Sequence, residues 1–221
     1  MTPEQMRRRA RILVAYTSRE LVGKAARIPL TQVDVAMNSG RPSPYTTQQL
    51  CGLDFERLEQ FAPLVGLKGT RLRLRALYAV GVSMDLLASW DNENRPKKLD
   101  RVRLSRYAND TMKREKIRTE YHQWVRKAYN NWSGDGVTSV RAREWAYRKG
   151  WHRPIELEED LIDMPEPWAG QLLARRGYLL SRQDPRRIHR AMAAGERSEL
   201  VLAAHKEWER WTAERYKKGR P

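Results

Sequence analysis

Two stretches of this 221-residue chain repeat one pattern: a short amphipathic helix, a turn, and a second short helix with polar outward positions. The first is SRELVGKAARIPLTQVDVAMNSGR, residues 18–41; the second is SMDLLASWDNENRPKKLDRVRLSRYAND, residues 83–110. Elsewhere apolar residues recur at spacings of three and four, with no convincing alternation of the kind a strand needs. The pattern predicts an all-α fold. Two tandem helix-turn-helix bundles, residues 1–66 and 67–136, are expected to precede a C-terminal helical extension over 137–221.

Ala10, Leu13 and Val14 make one face of a helix over 6–17. Ser18 suits the N-cap of the next helix, whose buried face is Leu21, Val22, Ala25 and Ala26. Pro29 sits in the turn, Thr31 is expected to cap the second short helix, and Gly40-Arg41-Pro42 stops it. Short helices over 46–51 and 54–61 complete the first bundle. The pattern restarts with helices over 70–80 and 84–90, the latter capped by Ser83. A longer turn over 91–98 leads to a helix over 99–109 with Leu104, Tyr107 and Ala108 facing in. A long helix over 113–132 carries the stripe Ile117, Tyr121, Trp124, Val125, Ala128 and Trp132. After a helix over 138–149 and an acidic loop, two C-terminal helices bear Ile188 and Met192, then Leu200, Ala204, Trp208 and Trp211.

Lys and Arg number 43 against 27 Asp and Glu, a formal net charge of +16. Such a balance attracts polyanions, whether nucleic acid, an anionic membrane or an acidic partner; the plain alternative is self-repulsion that keeps a domain monomeric. The net charge is +4 over residues 1–69, +10 over 70–150, −5 over 151–170 and +7 over 171–221. The excess peaks around the second repeat, as a nucleic-acid footprint requires. No run approaches the roughly 18 apolar residues that span a bilayer, and the first residues lack the apolar core of a signal peptide. Cys51 stands alone, which excludes an internal disulfide and a cysteine-rich zinc site and points to a reducing cytoplasm.

A helix-turn-helix lays its second helix in the major groove and aims that helix's first turn and outer face at base edges. In the second repeat those positions are Lys97, Lys98, Arg101, Arg103, Ser105 and Arg106. Arg bridges guanine O6 and N7, and Lys or Arg also holds phosphates; the alternative is a solvated basic face. The first repeat offers Thr31, Gln32 and Asn38, with Arg41 just beyond. Gln and Asn suit adenine, Asp34 repels phosphate, and a repeat retained only for packing is the alternative. Two unequal copies on one chain would read two unequal half-sites as a monomer, with a dimer through Trp208 and Trp211 as the other arrangement. Trp90, Trp124 and Trp132 lie on apolar stripes and read as core.

The acidic stretch 156–166 is a solvated loop, a cover for basic surface, or a dock for a protein partner. Catalysis is not expected. His122, His152, His189 and His205 lack ligand spacing, no glycine-rich phosphate loop follows a strand, and Glu158 and Asp163 join no nuclease-like base. Neither a metal nor a cofactor is expected. The reading is a sequence-specific regulator that binds double-stranded DNA. Beside it stand a helical protein that binds a host or phage protein, and a binder of structured RNA.

Four runs carry a resemblance to a known group. They are LVGLKGTRLRLRALYAVGV (64–82), VRKAYNNW (125–132), AREWAYRKGWHRPIELEEDLIDMPE (142–166) and RRIHRAMAAGER (186–197). Together they make the chain similar, over most of residues 18–197, to the tandem helix-turn-helix DNA-binding proteins of actinobacteria and their phages. The resemblance implies DNA binding, transcriptional control and a place at the bacterial nucleoid. The turn of the second repeat, enlarged by Asn92 to Lys97, departs from the pattern.

Overall fold

A computed structural model describes residues 1–91, 94–97, 99–111, 114–133, 139–165 and 168–217. The fold is all-α apart from one two-stranded ribbon among those residues. Helix α1 (Pro3–Tyr16) starts at a capping box, in which the Thr2 hydroxyl accepts from the Gln5 amide and the Gln5 side chain accepts from the Thr2 amide. Ser18 caps α2 (Arg19–Ala26), as its position predicts. The chain then turns through Arg27 in the left-handed conformation, φ 55°. Helix α3 (Leu30–Asn38) begins directly after Pro29. Thr31 therefore lies inside the first turn of α3 and does not cap it; the ring-fixed φ of Pro29, −61°, sets the start without a side-chain bond. Two further short helices follow, α4 (Pro44–Cys51) and α5 (Phe55–Glu59).

The second half runs through α6 (Leu67–Ala79), α7 (Met84–Ser89), α8 (Arg101–Ala108) and α9 (Thr119–Trp132). Strand β1 (Leu64–Gly66) leads straight into α6, and β2 (Lys116–Arg118) straight into α9. They pair antiparallel with Val65 opposite Ile117. Flanking bonds are symmetric about that pair: Leu67 N–H donates to Glu115 O at 2.8 Å, and Thr119 N–H to Pro63 O at 3.1 Å. The ribbon corrects the expectation of no strand and of a helix starting at 113. Three residues per strand are too few to display a two-residue alternation, and the apolar partner of Ile117 is Val65, far away in sequence.

Helices α6 and α9 pack side by side, and the buried cluster runs without a break from Met6 on α1 to Ile162. Trp124 is buried in it, and the partly buried Trp90 and Trp132 pack against it, the Trp90 ring tilted at 5.5 Å from Trp124 and 5.0 Å from Trp132. Beyond it come α10 (Val140–Arg148), a 3-10 turn (Pro154–Glu156), α11 (Glu159–Ile162), α12 (Trp168–Gln183), α13 (Pro185–Ala193) and α14 (Glu199–Lys217). Helix α12 crosses α14 closely at Gly177, where a Cβ would come within 2.7 Å of the Ala203 carbonyl carbon. Trp208 meets the His189 ring at 4.2 Å and Trp211 lies 4.8 Å from the Arg182 guanidinium, so both rings pack on their own chain. Among the described residues no helix is long and apolar enough to cross a membrane.

Candidate nucleic-acid interface

Helix α8 is held at both ends. At its start the Asp100 carboxylate caps the Arg103 amide at 2.8 Å. The loop before it is tied down by the Tyr121 hydroxyl of α9, which donates to Lys97 O at 3.1 Å, and by Leu99, which is buried. At its end Arg75 of α6 donates Nε–H to Ala108 O at 2.7 Å, a cation on the negative end of the helix dipole. Helix α3 is held in a similar way: Arg11 Nε donates to Met37 O at 3.0 Å and Arg7 to Ser39 O at 3.4 Å. Gly40 closes that end at φ 69°, where a side chain would overlap Pro3 O.

A buried ionic cluster joins α1, α5, α6 and α9 to the acidic segment. Arg73 grips Asp163 with two parallel bonds of 2.6 Å. Arg126 donates to Glu59 at 2.5 and 3.2 Å, and the Tyr16 hydroxyl donates to the same carboxylate at 2.6 Å. Arg126 Nη2 also lies 2.9 Å from His122 Nε2. A guanidinium can only donate, so Nε2 accepts and the imidazole proton sits on Nδ1, 2.8 Å from the Thr70 hydroxyl. Burial, with Arg126 and Arg73 adding to it against the pull of Asp163, pushes His122 down to about 3. Burial alone would raise Asp163; the Arg73 bonds and neighbouring cations overcome it and hold the carboxyl below its ordinary value. Gly69 makes room, since a Cβ there would overlap Asp163 Oδ1.

The acidic stretch is thus largely committed to the fold. Asp163 is in the cluster, Glu156 holds Arg153 at 3.0 Å, and Glu158 and Asp160 hold Arg176 of α12 at 2.7 and 2.6 Å. Of the three readings offered by the sequence, the free solvated loop fits least, because most of these carboxylates hold cations of their own chain.

The outward residues follow from burial. Leu104, Tyr107 and Ala108 face in, which leaves Arg101, Val102, Ser105, Arg106 and Asn109 on the open side of α8. The same phase recurs in α3, where Val33 and Ala36 are buried and Leu30, Thr31, Asp34, Val35 and Asn38 face out. Among the expected contact residues, Arg101, Arg106, Lys97, Thr31, Asn38 and Arg41 are exposed and Ser105 is half-buried. Arg101 makes a surface ion pair with Asp85 at 3.2 Å. Arg103 is half-buried on the flank of α8, its guanidinium 3.4 Å from the Tyr121 hydroxyl. Gln32, at the matching place on α3, turns to α4: its carbonyl oxygen accepts from Thr46 Oγ1 at 3.3 Å and from Ser43 N at 3.4 Å. Lys98 lies outside the described residues. Two outward residues escaped the sequence reading, Val102, which is 55% exposed, and Asn109. The inward triplet of α8 was enough to find them, since at 100° per residue both fall on its outer arc.

The two faces differ in chemistry. That of α8 carries two arginines, a hydroxyl, an amide and an isopropyl group. That of α3 carries no cation, and its Asp34 is matched by Arg19 at 3.2 Å. Among the described residues no group of His, Cys, Asp and Glu is placed to hold a metal ion. Comparison with protein-family models, with curated proteins and with solved structures finds no match for this chain.

Proposed function

We propose that this protein binds double-stranded DNA through the outward face of α8 and acts as a sequence-specific regulator of transcription. One observation carries the reading: α8 is pinned at both ends by α6 and α9 and turns Arg101, Val102, Ser105 and Arg106 outward, in the part of the chain where net charge is +10. A rigid helix bearing arginine, a small polar group and an exposed methyl pair has the donors for guanine and phosphate and an apolar contact for thymine. Helix α3 then serves as an unequal second contact, with Thr31 and Asn38 as its polar outward groups and Arg41 just beyond its end, and one chain covers an asymmetric site.

The test is titration of the chain against duplex DNA from a selected pool, scrambled duplex and structured RNA, at several salt concentrations. Arg106→Ala is expected to narrow the gap between selected and scrambled duplex by about 1–3 kcal/mol. A flat salt profile, or RNA bound better than either duplex, refutes the reading. A second reading, contact between α3 and another protein, is favoured by Leu30 and Val35, which stand 40% and 36% exposed on a face without cations. Under it Val35→Asp leaves every DNA affinity unchanged.

A further inference from the structure

A groove of about 880 Å³ runs between α10, the loop after it, and the turn between α13 and α14. Arg143 and Arg148 of α10 line one wall and Arg197 the other. Among the described residues none of these three guanidiniums has a carboxylate within ion-pair distance. They differ in this from Arg73 and Arg126 in the core and from the half-buried Arg176, which are matched to acids. Tyr147, one turn after Arg143, is 81% exposed and lines the same groove. Two carboxylates lie close by, Glu144 at the mouth and Glu156, and the latter is taken up by Arg153 and its backbone amide.

The groove adjoins the open helix described above. The Arg75 guanidinium that bonds the last turn of α8 also lies 5.3 Å from the ring centre of Trp151, and Trp151 lines the groove. We propose that this groove holds the sugar-phosphate backbone of duplex DNA that flanks the base pairs met by α8. The inference rests on the reading of α8 as a DNA-contacting helix. Three unmatched guanidiniums and an exposed phenol hydroxyl are donors without acceptors of their own, and phosphate oxygens are acceptors spaced along a chain. Trp151 is poorly placed to stack an unpaired base: Arg75 covers it, and its ring meets Tyr78 at 6.0 Å and Trp145 at 4.8 Å edge-on. That favours a duplex backbone over a single strand, which needs a run of free aromatic faces.

The test uses the full chain and a variant combining Arg143→Ala, Arg148→Ala and Arg197→Ala, with Tyr147→Ala as a separate variant. All the replaced side chains are exposed or partnerless, and an unchanged circular dichroism melt checks folding. Two duplexes centred on the sequence that the wild type enriches from a random pool are used, of about 14 and about 30 base pairs, roughly one and three helical turns. A single strand of the longer length is the third probe. Each phosphate contact contributes about 0.9 to the slope of log affinity against log salt, so losing three makes the slope on the long duplex shallower by about 2.7. Over a fourfold rise in salt the wild-type advantage then shrinks roughly 40-fold on the long duplex, while the short duplex shows no difference. Equal slopes for wild type and variant on the long duplex overturn the proposal. So does an equal loss on both lengths, or a single strand bound more tightly than the duplex and released by Tyr147→Ala. If the wild type binds no duplex of either length, the reading of α8 fails and takes this inference with it.

Discussion

Mild acidification should expose the buried histidine as the weakest point of the ionic cluster. His122 is fully enclosed, accepts from Arg126 and has its one proton on the Thr70 side. Its ordinary value is 6.5 and the fold pushes it down to about 3. The folded value lies below the unfolded one, so below pH 6.5 the unfolded chain takes up a proton that the folded chain refuses. Stability falls as pH drops through that range, with a slope approaching 1.4 kcal/mol per pH unit, and levels off near the folded value. Between pH 7 and pH 5 the loss from this one group comes to about 2 kcal/mol. Asp163, also depressed, contributes in a different window: its stabilisation is present above the ordinary carboxylate value and lost only as pH falls through its lower folded value. The perturbation is His122→Gln, which keeps a donor and an acceptor but cannot ionise. Urea unfolding followed by tryptophan fluorescence at pH 7, 6 and 5 should give a wild-type midpoint that falls more steeply than that of the variant. Parallel curves would mean that His122 is charged or hydrated in the folded protein, and the proton assignment would be wrong.

Gly69→Ala puts a Cβ onto Asp163 Oδ1, a carboxylate that two 2.6 Å bonds prevent from moving aside. Loosening that buried pair should cost about 3 kcal/mol, read as a lowered melting temperature, and a neutral result would show that Asp163 does not dock there. Arg27→Gly should stabilise by roughly 0.5–1 kcal/mol because Arg27 holds φ 55°. Asp91→Gly, at φ 49°, should not, since the Asp91 carboxylate accepts from Asn94 at 2.7 Å and Lys127 at 3.0 Å. Gln32→Ala should cost about 1 kcal/mol in chemical denaturation by freeing Thr46 and Ser43 from their shared acceptor, with DNA affinity unchanged. A weakened affinity without lost stability would return Gln32 to the contact surface.

Local chemistry made much of this fold readable. Ser18 and Ser83 cap the helices they precede, and the inward residues of α3 and α8 have the phase that their spacing predicts. The ionic cluster was not readable, for a physical reason. Glu59, Arg73, His122, Arg126 and Asp163 each look like a solvated surface residue in their own window, and only contacts between residues as many as 90 positions apart remove them from water. Thr31 does not cap because, although a hydroxyl near a helix start reads as a cap, Pro29 is the N-cap and the helix begins two residues earlier than a Thr31 cap would place it. Gln32 and Arg103 were grouped with the first turn and outer face of their helices. Their position, about 200° round from the first residue of each helix, already placed them on the flank.

The distribution of paired and unpaired charge gives the net +16 a direction. Acids on four separate segments, Asp34, Glu59, Asp91 and the stretch that carries Glu158, Asp160 and Asp163, are held by cations of the same chain. Each such pair removes one positive group from those able to meet an outside anion. What remains uncompensated includes Arg106 on α8 and Arg143, Arg148 and Arg197 around the neighbouring groove. Those at α8 and around the groove lie on adjoining surfaces joined through Arg75. The cation-free outward face of α3 strengthens the point. It shares the burial phase of α8 but not its charge. A ligand that engages both must therefore present anionic groups to α8 and uncharged ones to α3, a division that the phosphate edge and the base edges of one duplex can meet.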